Sequence, residues 1–227
     1  MATLHTDREY ENQLKQLREN ILNMAGHVEL MINNSIQALT TRDTELAQET
    51  IDEDCVINSL EVETDQLCLL ILAKRQPMAS DLRFITLALK MVTDLERIGD
   101  LAVNISERVR YLAAVPALGE YKDIPRMAEL AKSMVHDAID AFIENDVRKA
   151  REVIARDDEI DELYTAVFRD VLLIMKSDTT TLKRGIDTQS VAKWLERIGD
   201  HATNICEQVI FMVKGKDIRH EGKRDNN

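Results

Sequence analysis

The sequence predicts an all-α protein built from two tandem, internally repeated three-helix bundles of long antiparallel helices. Three observations predict it. The hexapeptide LERIGD occurs at residues 95 to 100 and again at 195 to 200, and the match continues as Ala102, Asn104 and Ile105 return as Ala202, Asn204 and Ile205. A fixed spacing of this kind marks a duplicated unit. Apolar residues recur at helical spacing through most of the chain, as in Leu14, Leu17, Ile21, Met24, Val28, Met31, Ile32 and Ile36. Only seven glycines and three prolines interrupt 227 residues, and aromatics make up 4%; so few breakers and β-formers favour long helices.

The elements follow from the breaks. A first helix spans about 7 to 39 and stops at TTRD (40 to 43), where Asp43 can cap the next, near 43 to 73. KRQPMAS (74 to 80) holds Pro77 and separates it from a third, near 79 to 113. AVPALGEYKDIP (114 to 125), with two prolines and a glycine, is the linker. Helices near 124 to 144, 147 to 175 and 181 to 213 follow, parted by Asn145-Asp146 and by SDTTT (177 to 181). Helices joined by short loops lie antiparallel, so residues 1 to 115 read as one bundle and 116 to 213 as the second. The polar stretch 214 to 227 reads as a loose tail.

Composition excludes several functions. With 29 basic against 41 acidic residues the net charge is −12, which repels nucleic-acid phosphates and anionic lipid. Cys55, Cys68 and Cys206 form no CxxC and are odd in number, against a disulfide scaffold or structural zinc. The N-terminus has no signal-peptide core, and no segment approaches the roughly 18 apolar residues of a membrane span. A cytoplasmic protein is expected.

The acidic residues carry the functional reading. On a helix, positions four apart differ by only about 40°. Glu96, Asp100 and Asn104 therefore share a stripe, as do Glu196, Asp200 and Asn204. The preceding helix of each half supplies a second pair, Asp54 with Asn58 and Asp157 with Asp161, aligned by matching Ile57 to Ile160 and Leu60 to Leu163. The midpoint between the centres of the first two pairs falls on Pro77, and that of the second two inside SDTTT, so each antiparallel hairpin brings its pairs to one height. Like charges four apart repel, and a helix gains nothing by repeating them. Such a set either raises its pKa values or holds a cation, and all-oxygen ligands suit Mg²⁺, Mn²⁺ or iron. Arg97 and Arg197 offset the repulsion only at the edge. The second site, with four carboxylates against three, is expected to bind more strongly. His201 reads as surface or structural, and Cys55 and Cys206 as small packing residues.

With MVTDLERIGDLAVNISE, AKWLERIGDHATNICEQ and DDEIDELY, the sequence resembles the PhoU family of phosphate-transport accessory proteins over about residues 7 to 213. The resemblance implies two similar three-helix bundles and metal ligands at Glu96, Asp100, Glu196, Asp200, Asp157 and Asp161. Asp54 and Asn58 depart from the acidic pattern, because Asn58 offers a neutral amide oxygen. It also implies a non-enzymatic adaptor that associates with the phosphate ABC transporter's ATPase subunit and a sensor histidine kinase, represses the phosphate-starvation response, and forms a homodimer. Two alternatives compete. One is a metal-free helical scaffold; the other, a di-metal carboxylate oxidase, requires Glu three residues before a histidine, and Met24, Ser133, Ile198 and Asp217 stand there instead.

Overall fold

The computed structural model describes residues 2–118 and 123–216, with side chains from Arg8 onward. The helices are α1 Ala2–Thr41, α2 Thr44–Lys74, α3 Ala79–Leu112, α4 Asp123–Glu144, α5 Val147–Ile154, α6 Asp157–Ser177 and α7 Leu182–Lys214, with a 3-10 turn at Thr179–Thr181. The expected fifth helix is thus present in two pieces. Its ladder breaks at Ala155 and Arg156, where Arg156 N–H donates to Val153 O at 3.0 Å, a tighter turn than the α-helix makes. Both residues stay near helical dihedrals, so α5 and α6 remain successive segments of one arm.

Capping side chains set the helix starts. Asp43 Oδ1 accepts from the backbone N–H groups of Glu45 and Leu46, each at 3.0 Å. Asp146 Oδ1 does the same for Arg148 (2.8 Å) and Lys149 (3.1 Å). Each cap satisfies donors that the first helical turn leaves open. The left-handed residues Arg42 (φ 62°) and Asn145 (φ 54°) precede the two caps, so the same turn chemistry closes α1 and α4. Gly215 (φ 66°) closes α7 in the left-handed conformation that glycine adopts without strain. The polar tail expected over 214 to 227 lies, from residue 217 on, outside the described residues.

α3 and α7 form the centre. α3 packs on α1 and α2, α7 packs on α4, α5 and α6, and the two pack on each other. The partners run in opposite order along them: Arg83 Nε donates to Met212 O (3.0 Å), Asp94 Oδ1 meets His201 Nδ1 (2.9 Å), and Arg108 Nη1 meets Asp187 Oδ1 (2.7 Å). The central pair is therefore antiparallel, with one LERIGD segment alongside the other. Their buried faces carry Leu95, Ile98, Ala102 and Ile105 in α3 and Leu195, Ile198, Ala202 and Ile205 in α7, all at 0% exposure. Burial of each large side chain stabilises by roughly 1.5–3 kcal/mol, so this repeated stripe supplies much of the core. A second seam joins α1 and α3 to α4: Phe84 and Phe142 stack with centroids 5.9 Å apart, and Arg18 lies over both rings.

Candidate functional site: two facing carboxylate clusters

The glycine of each hexapeptide sets where the acids meet. A Cβ on Gly99 would lie 3.5 Å from Ile57 Cγ2, and one on Gly199 would lie 3.2 Å from Ile160 Cδ1. Lacking a Cβ there, α3 comes close to α2 and α7 to α6. Ile57 sits between Asp54 and Asn58, while Gly99 sits between Glu96 and Asp100; Ile160 and Gly199 are flanked in the same way. The crossing points fall within one residue of the register predicted from the hairpins, so the structure brings together all four pairs two by two.

Each cluster contains carboxylate oxygens withdrawn from water without a hydrogen-bond donor: Asp54 Oδ1 and Glu96 Oε2 in the first, Asp157 Oδ1 and Glu196 Oε2 in the second. Glu96 Oε2 lies 3.4 Å from Arg97 Nε, close enough for charge attraction but without hydrogen-bond alignment. The remaining oxygens have partners. Asn58 Nδ2 donates to Asp54 Oδ2 at 2.7 Å, Arg97 Nη1 to Asp100 Oδ2 at 3.0 Å, and Lys193 Nζ to Glu196 Oε1 at 2.6 Å. Asn58, Asp161 and Asp200 stand at the exposed rims, while Glu196 is buried to 9% exposure.

Burial and mutual repulsion act on the acids together. Asp157 is pushed up to about 6, chiefly by burial and then by Asp200 and Asp161. Burial also raises Asp54 and Glu96, with Asp100 adding to both. Asp200, exposed at its surface but flanked by dense protein, is raised by desolvation and drawn back by Lys193. Each shift measures how strongly its pocket disfavours unpaired negative charge.

Four residues of the clusters were missed by sequence reasoning. Glu61 lies one turn beyond Asn58 on the Asp54 stripe; burial raises its pKa, Asp65 and Asp100 add to the rise, and Arg97 and Thr93 draw it back. Extending that stripe by three residues would have found it. The repeat substitutes Tyr164 for Glu61 and Lys193 for Thr93, and the Lys193 ammonium lies 5.4 Å from the Tyr164 ring centroid. Glu61 raises the first cluster to four carboxylates, which removes the carboxylate count as a reason to rank the second cluster higher.

The weaker candidates separate clearly. His201 is structural: it spans the central pair to Asp94, whose other oxygen accepts from Gln208 Nε2 at 2.9 Å. Cys206 is buried as expected. Cys55 is exposed, correcting its reading as a packing residue, because its position on α2 faces away from α3 and its thiol turns to Asp52 O (3.0 Å).

Among the described residues, no three His, Cys, Asp or Glu side chains converge into a finished metal cage. The donor set nevertheless fits a hard cation: carboxylate oxygens without a hydrogen-bond donor are buried on both helices of each hairpin, and the cationic groups facing the acids are the exposed Arg97 and Lys193 side chains. The lone oxygens lack a hydrogen-bond donor, and a cation would supply the missing interaction.

Fold and site define a duplicated helical-bundle protein with a facing carboxylate cluster in each half. The PhoU domain model matches residues 21–109 and again 124–209. The chain belongs to the PhoU family. Named relatives include a phosphate-specific transport system accessory protein PhoU homolog of Pseudomonas putida, 39% identical, with 97% of this chain and 86% of the relative aligned. One of Clostridium acetobutylicum is 36% identical over 94% of this chain and 98% of its own. The crystal structure of PhoU from Pseudomonas aeruginosa superposes with a TM-score of 0.89 at 36% identity, covering 91% of this chain and all (100%) of that one. The phosphate transport system regulatory protein PhoU from Streptococcus pneumoniae gives 0.85 at 27% identity, covering 92% and 99%. Among the described residues no helix is long and apolar enough to cross a membrane.

Proposed function

We propose that this chain is a metal-binding accessory protein of phosphate-specific transport that represses the phosphate-starvation response. It works as a homodimeric cytoplasmic adaptor between the transporter's ATPase subunit and a sensor histidine kinase. The observation that carries the metal reading is the set of four buried carboxylate oxygens without a hydrogen-bond donor, on Asp54, Glu96, Asp157 and Glu196. Membership of a family whose named relatives are accessory proteins of phosphate transport supports the physiological role. Asp54, Asn58, Glu96 and Asp100 hold the ion in the first half, and Asp157, Asp161, Glu196 and Asp200 in the second; Mg²⁺, Mn²⁺ or iron matches their oxygen donors. A bound cation would neutralise charge and fix the spacing of paired helices, a binding role that calls for no nucleophile or general base. The two units run from 1 to 115 and from 116 to 213.

A phosphate-regulated reporter in a strain lacking the protein tests this. Restoring the native chain should silence the reporter in rich phosphate, whereas Glu196→Ala with Asp200→Ala should leave it substantially on. Elemental analysis of the purified double variant should show metal lost from the second half. Full repression with a raised melting temperature would identify the acids as merely repulsive.

A further inference from the structure

The two clusters differ in one full positive charge that the repeat does not share. Each hexapeptide carries an arginine: Arg97 reaches Asp100, and Arg197 acts on Asp200. The second half adds Lys193, whose ammonium is 2.6 Å from Glu196 Oε1 and lies against the Tyr164 ring. The first half has Thr93 in place of Lys193 and Glu61 in place of Tyr164. With every carboxylate ionised, Asp54, Glu61, Glu96, Asp100 and Arg97 sum to −3, whereas Asp157, Asp161, Glu196, Asp200, Arg197 and Lys193 sum to −2. Glu196 is buried to 9% exposure, with Oε2 unpartnered and Oε1 held by the lysine, so the ammonium sits on a ligand atom of the second cluster.

We propose that Lys193 is a resident cation of the second cluster that an incoming metal ion must displace, and that Glu61 is an additional ligand of the first, so that the first half binds metal more tightly. This rests on the metal-binding reading above. It reverses the order suggested by the paired motifs alone, since the metal in the second half must both move the lysine off Glu196 and share the site's field with it. A unit charge about 4 Å from a divalent ion, even at the dielectric of water, changes affinity roughly thirtyfold, and more in partly buried surroundings.

Mn²⁺ titrated into the chelator-stripped full chain, with free ion followed by electron paramagnetic resonance, tests it. The native chain should show a tight and a weak class of sites, the tight class lost in Glu96→Gln and the weak class in Glu196→Gln. Lys193→Met should tighten the weak class by roughly thirtyfold. Glu61→Gln and the graft Thr93→Lys should each weaken the tight class. Thr93→Lys leaves the second half untouched and so stands in if Lys193→Met unfolds. Two classes that ignore both lysine changes, or a tight class lost in Glu196→Gln, would overturn the inference while leaving metal binding intact. Absence of Mn²⁺ binding to the native chain would overturn both.

Discussion

The two halves share their apolar contact and differ in its polar fringe. Ile57 against Gly99 and Ile160 against Gly199 are the same contact made twice, with both isoleucines at 0% exposure. Around it, Asn58 replaces Asp161, Glu61 replaces Tyr164 and Thr93 replaces Lys193. Close packing leaves the contact little freedom to vary, because shape must be matched on both sides. A half-exposed rim tolerates exchange of charge, and that is where one hairpin can acquire an ion affinity different from the other's.

The sharpest break of this comparison is truncation of the shared contact. Ile57→Ala and Ile160→Ala should each destabilise by about 2–5 kcal/mol, lowering the melting temperature by roughly 2–4 °C per kcal/mol. The two losses should agree closely; calorimetry showing one several-fold larger would mean that the halves are not equivalent cores.

Next comes the charged fringe. Asp157 is held near 6 when folded, above the ordinary value of an unfolded aspartate. The folded state therefore keeps its proton more readily, and the contribution of this group to metal-free stability is fully present at low pH and is lost as pH rises through about 4 to 6. Because the group is partly exposed, solvent screening limits the effect to about 1 kcal/mol. Asp157→Asn should remove that part of the slope and raise the metal-free melting temperature at pH 7 by a few degrees, as thermal melts across pH 4 to 7 would reveal. Asp54→Asn should act in the same direction by less. A lower melting temperature in Asp157→Asn would contradict the burial argument.

The smallest difference lies in the glycines. Alanine in place of glycine gains up to about 1 kcal/mol of helix propensity. At Gly99 the new methyl would find ordinary contact at 3.5 Å, whereas at Gly199 it would press to 3.2 Å of Ile160. Gly99→Ala should be neutral or stabilising and Gly199→Ala less favourable by about 1 kcal/mol, measured by denaturant titration. The reverse order would place the tighter crossing in the first half.

Much of this architecture is legible in the chain. Asp43, Pro77, Asn145-Asp146 and SDTTT mark helix ends because capping and turn chemistry act over a few residues. The register of the acid pairs is legible because two antiparallel helices joined by a short loop have one free parameter, the position of the turn. The break at Ala155 and Arg156 is hidden, since neither residue resists helix; Arg156 instead bonds Asp137 (2.5 Å) and Ser133 (3.4 Å) on α4, a tertiary attachment without local signature. Lys193 is hidden for a related reason. Three residues before Glu196 it resembles a solvated surface lysine, and only the neighbouring Tyr164 ring and buried carboxylate reveal where its ammonium rests.

The central helix pair has a consequence for self-recognition. Asp94 binds His201 and Gln208, and at the position equivalent to Asp94 the second half has Trp194, which lies 5.4 Å beneath Arg108. A first half docked on its own copy in this geometry would set Asp94 against Leu101 and Arg108, and a second half docked likewise would set Trp194 against His201 and Gln208. The first twin would exchange the histidine partner of Asp94 for the Arg108 guanidinium, whereas the second would offer His201 and Gln208 no carboxylate at that place. The duplicated helices are no longer interchangeable: His201 and Gln208 find their carboxylate on the other half alone, so the second half gains from its complement what a twin of itself could not supply.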